Sequence, residues 1–307
     1  MITASIADET VVEKNDSRKP FVAFLLSVFF TGLGQMYNGQ FRKGIIFFLL
    51  SYIILFVSGI CNLLISFNGF VVIFILFSML KLYNIIDAVL VARKLKVFTR
   101  TKFNTWYFYL FFSVIALIIN SVFSTQKILK LQTFIFTTSS GYPTTLIGDR
   151  IVSNLNFDKL IKVNYGDMLA FYSPNNEVWT FRVVGLPGDK IEIKNRELII
   201  NDLKLKTTFE KEAIDGEYEV SQFLEELPNG FKHSVFRYKG ILDSSYANVP
   251  EVIVPTDSYF LLGDNRDNAY DSRYIGPVNK RDIFAQVMYV FWSSDLSRIG
   301  LDFRKSK

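Results

Sequence analysis

The sequence predicts an α-helical transmembrane region followed by an all-β domain. Half of the 307 residues are hydrophobic, with 31 Phe and 15 Tyr, more than a soluble protein with a single core needs. The apolar residues are concentrated in residues 21–124. From Thr133 onward, short β-branched and aromatic runs are broken by Gly, Pro, Asn and Asp, the pattern of short strands joined by turns.

Residues 1–20 are polar and predict a cytoplasmic tail. The helical membrane domain covers 21–124. Three stretches in it reach the roughly 20 apolar residues that a crossing takes: Gly44 to Phe67, Phe70 to Ala92 and Thr105 to Ser124. A fourth, Phe21 to Met36, is shorter and interrupted by Gly32, Gly34 and Gln35. Loop charge decides how to count it. If it crossed, Arg42/Lys43 and the 93–102 cluster would lie outside. If it dips in and returns, Arg18/Lys19, Arg42/Lys43 and Arg93, Lys94, Lys96, Arg100 and Lys102 all face the cytoplasm. The positive-inside rule favours the second, with about three full spans plus a re-entrant or interfacial segment. No small-residue cleavage site follows the first apolar stretch, which predicts an anchor rather than a removable signal.

Lys81 and Asp87 fall inside the second long stretch, and intramembrane ionisable groups are functional candidates. The plainer reading is a helix end running into water, favoured because Asp87 lies near the basic end. The one cysteine, Cys61, has no intramolecular partner. The net charge of +5 is not gathered into a basic cluster interleaved with aromatics, so nucleic acid is set aside as a partner.

Residues 125–307 form the second domain, with a β-rich insertion at about 195–254. Four blocks stand out in it: FTTSSGYPTTLIGDRIVSN (Phe136 to Asn154), YGDMLAFYSP (Tyr165 to Pro174), FRVVGLPGDKIEI (Phe181 to Ile193) and GDNRDNAYDSRYIGPV (Gly263 to Val278). In the third, Gly185–Asp189 reads as a tight turn. In the fourth, Asp271 and Arg273 are i, i+2 neighbours and predict a partly buried ion pair, on one face if the segment is extended. The carboxylates Asp264, Asp267 and Asp271 do not match a calcium loop, because Arg266 occupies a ligand spacing and no glycine sits at the bend. No metal or other cofactor is expected.

The order and spacing of these blocks resemble the type I signal peptidases, membrane-anchored serine proteases that remove signal peptides from exported preproteins. The resemblance covers Phe136 to Val278, and RVVGLPGD and GDNRDN followed by DSR are its most specific parts. It implies coiled, partly barrel-like antiparallel sheets and an extracytoplasmic cleft near the bilayer of the cytoplasmic membrane. It also implies an extended substrate with small side chains at the cut, with the secretion machinery and the lipid bilayer as further partners. Anchored on Pro143-Thr144 and Ile147-Gly148-Asp149, it puts Ser140 at the nucleophile and Thr138 at the oxyanion-binding serine, while Gly141 replaces a methionine. Arg182, Asp264, Asp271 and Arg273 become the braces of the site. Separately, GLGQMYNGQFRKG (Gly32 to Gly44) with LYNIIDAVL (Leu82 to Leu90) resembles small two-helix membrane domains of unknown role.

One departure bears on chemistry. A serine hydroxyl needs a group to accept its proton, and these enzymes use a lysine kept neutral by burial. At the general-base position this chain has Phe181, and the serine that steadies the lysine is Ala269. His233, Lys162, Lys190 and Lys194 are the substitute bases to consider, with Lys190 and Lys194 expected to point away from Ser140. Three readings follow: a signal peptidase acting through Ser140, a silent homologue that binds signal peptides or protein tails, and a β cap on a functional membrane domain. The paired loss tilts the balance slightly toward silence.

Overall fold

A computed structural model describes residues 17–98, 104–122, 125–155, 162–240 and 247–307. Arg100, Lys102, Ser124 and most of the expected tail lie outside the described residues. The chain divides into two compact units, one mainly helical over the first 129 residues, the other comprising 65–69 and 130–307.

The helical unit contains α1 (Pro20–Phe29), α2 (Leu33–Tyr37), α3 (Phe41–Ile60), α4 (Phe67–Lys94), α5 (Trp106–Val122) and α6 (Thr125–Leu129). Two of these, α3 and α4, are long and apolar enough to cross a membrane. Ile46, Ile53 and Phe56 on α3 and Phe74, Met79 and Leu82 on α4 are all exposed, unlike the buried core helices of a soluble domain. The third expected span forms α5, whose 17 residues reach only about 25 Å. The interrupted fourth stretch does not form one crossing helix. Its 10-residue α1 spans about 15 Å and stops before Gly32, which adopts φ +95°.

This broken hairpin is held by its polar residues. Gln35 Nε2 donates to the Asn84 carbonyl at 2.7 Å and to Asp87 Oδ2 at 3.1 Å. Asn38 Nδ2 donates to the Ala88 carbonyl at 2.7 Å. Lys43 Nζ reaches Asp87 Oδ1 at 2.6 Å, and Lys81 Nζ donates to Thr31 Oγ1 at 3.3 Å. The two sequence stretches singled out in this half therefore bond to each other. Arg18 lies over the rings of Phe98 (3.6 Å) and Tyr37 (4.5 Å). Together with the Lys43–Asp87 pair, this gathers the beginning of α1, the beginning of α3 and the end of α4 at one end of the unit.

The second unit carries a seven-stranded sheet, ordered β1 (Leu131–Ile135), β2 (Arg150–Asn154), β14 (Ile283–Trp292), β3 (Met168–Tyr172), β4 (Val178–Gly185), β12 (Ser258–Leu262) and β13 (Val278–Asn279). All its pairings are antiparallel. The outer strands β1 and β13 do not pair, so among the described residues the sheet is open rather than a closed barrel. The insertion forms two smaller sheets. One combines β5 (Lys190–Lys194), β6 (Glu197–Ile200), β7 (Leu203–Lys204) and β11 (Val249–Ile253), and the other β8 (Lys206–Asp215), β9 (Tyr218–Glu226) and β10 (Lys232–Tyr238). Two-residue turns join β5 to β6 and β6 to β7. Asn195-Arg196 and Asn201-Asp202 have positive φ throughout, the conformation such hairpins require and Asn and Asp tolerate best.

Both faces of β4 and β12 are buried. Val184, Phe260 and Leu262 pack into one cluster with Ile191, Leu198 and Ile200. Phe181, Val183 and Leu261 pack into another with Leu169, Phe171 and Ala269. Two-faced burial explains why RVVGL and YFLL read as continuous apolar runs rather than alternating ones.

Gly32 offers a direct test of the hairpin. A Cβ there would stand 2.1 Å from the Gly44 carbonyl oxygen, at a φ unfavourable for any side chain. Gly32→Val is expected to lower the thermal midpoint of the detergent-solubilised protein by several degrees, measured by helix circular dichroism. An unchanged midpoint would show that the hairpin is not packed against α3.

Candidate functional site

Ser140 lies on the turn between β1 and β2. The turn begins at Phe136, whose N–H donates to the Asp149 carbonyl (3.1 Å), and Gly148 N–H returns to the Phe136 carbonyl (2.8 Å). Within it, Thr145 N–H donates to the Gly141 carbonyl (2.9 Å). The Asp149 carboxylate closes the loop, accepting from Leu146 N–H (3.0 Å) and from Arg298 (2.7 Å). At the apex the hydroxyls of Thr138 and Ser140 are 3.0 Å apart.

The fourth block holds this apex through its asparagines. Asn265 N–H donates to the Ser140 carbonyl (3.0 Å), and its Nδ2 donates to the Ser139 carbonyl (3.1 Å) and to Asp215 (2.6 Å). Asn268 Nδ2 donates to Ser139 Oγ (2.8 Å). Sequence reasoning missed both asparagines, although the repeated Asn of GDNRDN was the available signal.

Phe181 and Ala269 lie against the same spot. A Cβ added to Gly263 would stand 2.4 Å from Ala269 Cβ, 2.7 Å from the Ser140 carbonyl oxygen and 3.4 Å from Phe181 Cε1. Three positions that are 41 or more residues apart in sequence thus converge where only glycine fits. The Phe181 ring is buried beside Phe171 (centroids 5.9 Å) and Trp179 (6.2 Å).

The braces sit immediately behind. Arg182 donates through Nε (2.9 Å) and Nη2 (2.7 Å) to the two oxygens of Asp264, and through Nη1 to the Gly166 carbonyl (2.7 Å). Both partners are 1% exposed. Gly263 N–H donates to Asp271 Oδ2 (2.9 Å). Asp271 also pairs with Arg273 (2.8 Å), but not on an extended segment. It caps the short helix α7 (Ser272–Ile275), accepting from Arg273 N–H at 3.2 Å. The third carboxylate of the run, Asp267, binds Arg196 and accepts from Tyr238 N–H (2.7 Å).

The substitute bases are engaged elsewhere. His233 is buried between Asp264 (Nδ1, 3.2 Å) and Glu225 (Nε2, 3.3 Å), and Glu225 in turn binds Arg266 (3.0 Å). Lys190 pairs with Asp202 (2.7 Å) and Glu251 (3.0 Å), and Lys194 with Glu192 (2.7 Å). Lys162 is exposed. A cleft of about 660 Å³ opens at Ser140 and is lined also by Thr138, Trp179, Phe181, Ala269 and Tyr270. Neither His233 nor any of these lysines lines it. Its ionisable side chains among the described residues are Asp267, Tyr270 and Tyr274.

A turn with two paired hydroxyls lines a cleft of mixed polar and apolar surface and is backed by a buried Arg–Asp pair, in a chain that also carries two helices long and apolar enough to cross a membrane. The profile described as "Signal peptidase, peptidase S26" matches residues 105–292, and the chain belongs to that family. It is 30% identical over 237 residues to signal peptidase I of Rickettsia bellii (strain OSU 85-389), across 66% of this chain and 80% of that protein. Signal peptidase I of Rickettsia prowazekii (strain Madrid E) is 36% identical over 143 residues, 43% of this chain and 53% of that one. Signal peptidase IB of Staphylococcus aureus (strain Mu50) is 29% identical over 154 residues, 49% of this chain and 72% of the relative. The crystal structure of a signal peptidase I from Enterococcus faecalis V583 matches at 26% identity and a TM-score of 0.25, over 40% of this chain and 93% of that one.

Burial works against ionisation of Asp264, but Arg182 and His233 outweigh it and hold the carboxyl well below its ordinary range. Glu225 is likewise penalised by burial and then pulled down by Arg266 and His233. A carboxyl with a depressed folded pKa contributes stability that is complete above its unfolded value, about 4, and disappears as pH falls through the folded value. Unfolding free energy is therefore expected to be level from neutral pH to about 5 and to decline below about 4. Asp264→Ala leaves Arg182 buried without its carboxylate, which costs on the order of 3–5 kcal/mol. Denaturant titration at several pH values, followed by tryptophan fluorescence, measures both effects. Acid-insensitive stability would contradict the assignment.

Proposed function

We propose that this protein is a membrane-anchored member of the signal peptidase I family that holds extended signal peptides in its cleft without cutting them. What carries this reading is that, among the described residues, neither His233 nor any lysine lines the cleft at Ser140. Asp267 is committed to Arg196 and the Tyr238 N–H. Phe181 has no atom that takes a proton. Paired hydroxyls and substrate binding leave roughly 10³–10⁴-fold catalysis over water, far below a working protease.

What remains suits binding. Val178–Phe181 of β4 pair with β3 on one side, while the β12 pairing begins only at Arg182. The other edge of this segment is open among the described residues and faces the cleft, where a peptide adds as a further strand. A second reading, cleavage with Ser140 as nucleophile and Thr138 assisting at the oxyanion, is favoured by the 3.0 Å contact of the two hydroxyls. The reading of the β domain as a cap on a membrane site is weakened by the mutual pairing of Lys43 and Asp87.

For the membrane half we propose three crossings, α3, α4 and α5, with the hairpin of α1 and α2 returning to the cytoplasmic side and the β domain outside. The clustering of Arg18, Lys43 and the end of α4 at one end supports this. In a Cys61→Ser background, a membrane-impermeant maleimide added to spheroplasts is expected to label Asn229→Cys and not Lys96→Cys. The reverse pattern would invert the topology.

Catalysis is tested with a signal-peptide substrate and purified full-length protein. Wild type is expected to bind the peptide and leave it intact. The double variant Phe181→Lys/Ala269→Ser is expected to gain cleavage at least 10-fold above wild type, abolished by adding Ser140→Ala. Wild-type cleavage that Ser140→Ala removes would establish the second reading instead.

A further inference from the structure

We infer that the cleft selects an extended peptide carrying an aromatic side chain two positions from the small residue that abuts Ser140. The inference rests on the peptide-binding reading above and specifies what that site recognises. In a peptide strand added along the open edge of Val178–Phe181, alternate residues share a face and lie about 7 Å apart. On the β4 strand, Trp179 and Phe181 share one face in the same way, and both line the cleft. The two ends of this short track differ sharply.

At the Phe181 end, Ala269, the Ser140 carbonyl and Phe181 crowd around Gly263. Ala269 and Phe181 are buried, so the floor there is shallow and suits a small side chain. At the Trp179 end an aromatic platform stands ready. The Trp179 ring meets Tyr270 edge-on, with centroids 5.9 Å apart and planes at 83°. Tyr270 stacks on Tyr274 at 4.4 Å and 23°. Trp179 Nε1 donates to Glu177 Oε2 at 3.1 Å, which fixes the indole. Tyr270 is nevertheless 57% exposed. A large aromatic held in place by two neighbours, yet open to solvent at the mouth of a cleft, offers a ring face at little ordering cost. Charge selects nothing at this site, since the Asp267 carboxylate is already bound by Arg196.

The test uses full-length protein in detergent and a fluorescent extended peptide with a fixed alanine, its guest position two residues away on either side holding Phe, Leu or Ala. The Phe guest is expected to bind about 3–10-fold tighter than Ala, and more tightly than Leu, in one of the two directions. That ratio should collapse to near one in Tyr270→Ala and persist in Tyr270→Phe and in Ser140→Ala. Equal affinity for the three guests, or a ratio that survives Tyr270→Ala in a folded variant, would overturn the inference while leaving peptide binding intact. Failure of every peptide to bind would overturn the binding reading, and the inference with it.

Discussion

The contact between Arg182 and Asp264 carries the rest of the site. Arg182 belongs to β4, and Asp264 is the second residue beyond β12. Their two-pronged contact fixes where the charged block leaves the sheet. Gly263, on one side of Asp264, then meets Asp271 and the wall of the cleft. Asn265, on the other side, reaches the Ser140 carbonyl. Phe181 precedes Arg182 and turns the opposite way into the apolar cluster. A buried ion pair gains little over an apolar substitute but is costly to break. Here its value is geometric, because one pair sets the position of three neighbours at once: Phe181, Gly263 and Asn265. His233 links this pair to Glu225 and Arg266, so the insertion is tied to the braces rather than to the cleft.

In the helical unit several polar side chains pair across facing elements. A polar side chain in an apolar surrounding is costly unless it finds a partner. Gln35, Asn38 and Asp87 find theirs on the facing element, two of them at backbone carbonyls. A hairpin too short to cross a membrane is thereby fastened to a helix long and apolar enough to do so. The ionisable residues that drew attention in the sequence take part in this fastening, Asp87 through Lys43 and Gln35 and Lys81 through Thr31.

Features that depend on local spacing were legible in the sequence, and features that depend on distant partners were not. The long apolar helices and the turn-bounded strands follow from hydrophobic periodicity and from Gly, Asn and Asp at turns. So does the break in the first apolar stretch at Gly32. The juxtaposition of Ser140 with Phe181 and Ala269 was legible only because the spacing of four blocks resembled a known family. The burial of His233 between two carboxylates, one on β9 and one just beyond β12, had no local sign, since the second lies 31 residues away. Asp271 as a helix cap was hidden for a subtler reason. DSR reads equally well as an extended i, i+2 pair, and only the chain's turn after Ala269 decides between them. The meeting of Trp179 with Tyr270 had no signal in the sequence, because an edge-on ring contact across 91 residues leaves no periodic trace.

The two apolar substitutions also explain each other energetically. A lysine at position 181 would lie among Leu169, Phe171, Val183 and Leu261, where burial favours the neutral amine. Such an amine needs a hydroxyl beside it to hold its lone pair and its hydrogens. Once the amine is replaced by a phenyl ring, a serine at position 269 would face that ring, and a buried hydroxyl left without a partner costs about 1–3 kcal/mol. Alanine removes that penalty, while Phe181 gains ring contacts with Phe171 and Trp179. The reverse path is uphill at its first step, whichever residue changes first. Lysine alone meets an apolar wall, and serine alone meets a ring. Phe181 and Ala269 therefore suit each other as neighbours in one apolar cluster, as a lysine and a serine would suit each other there.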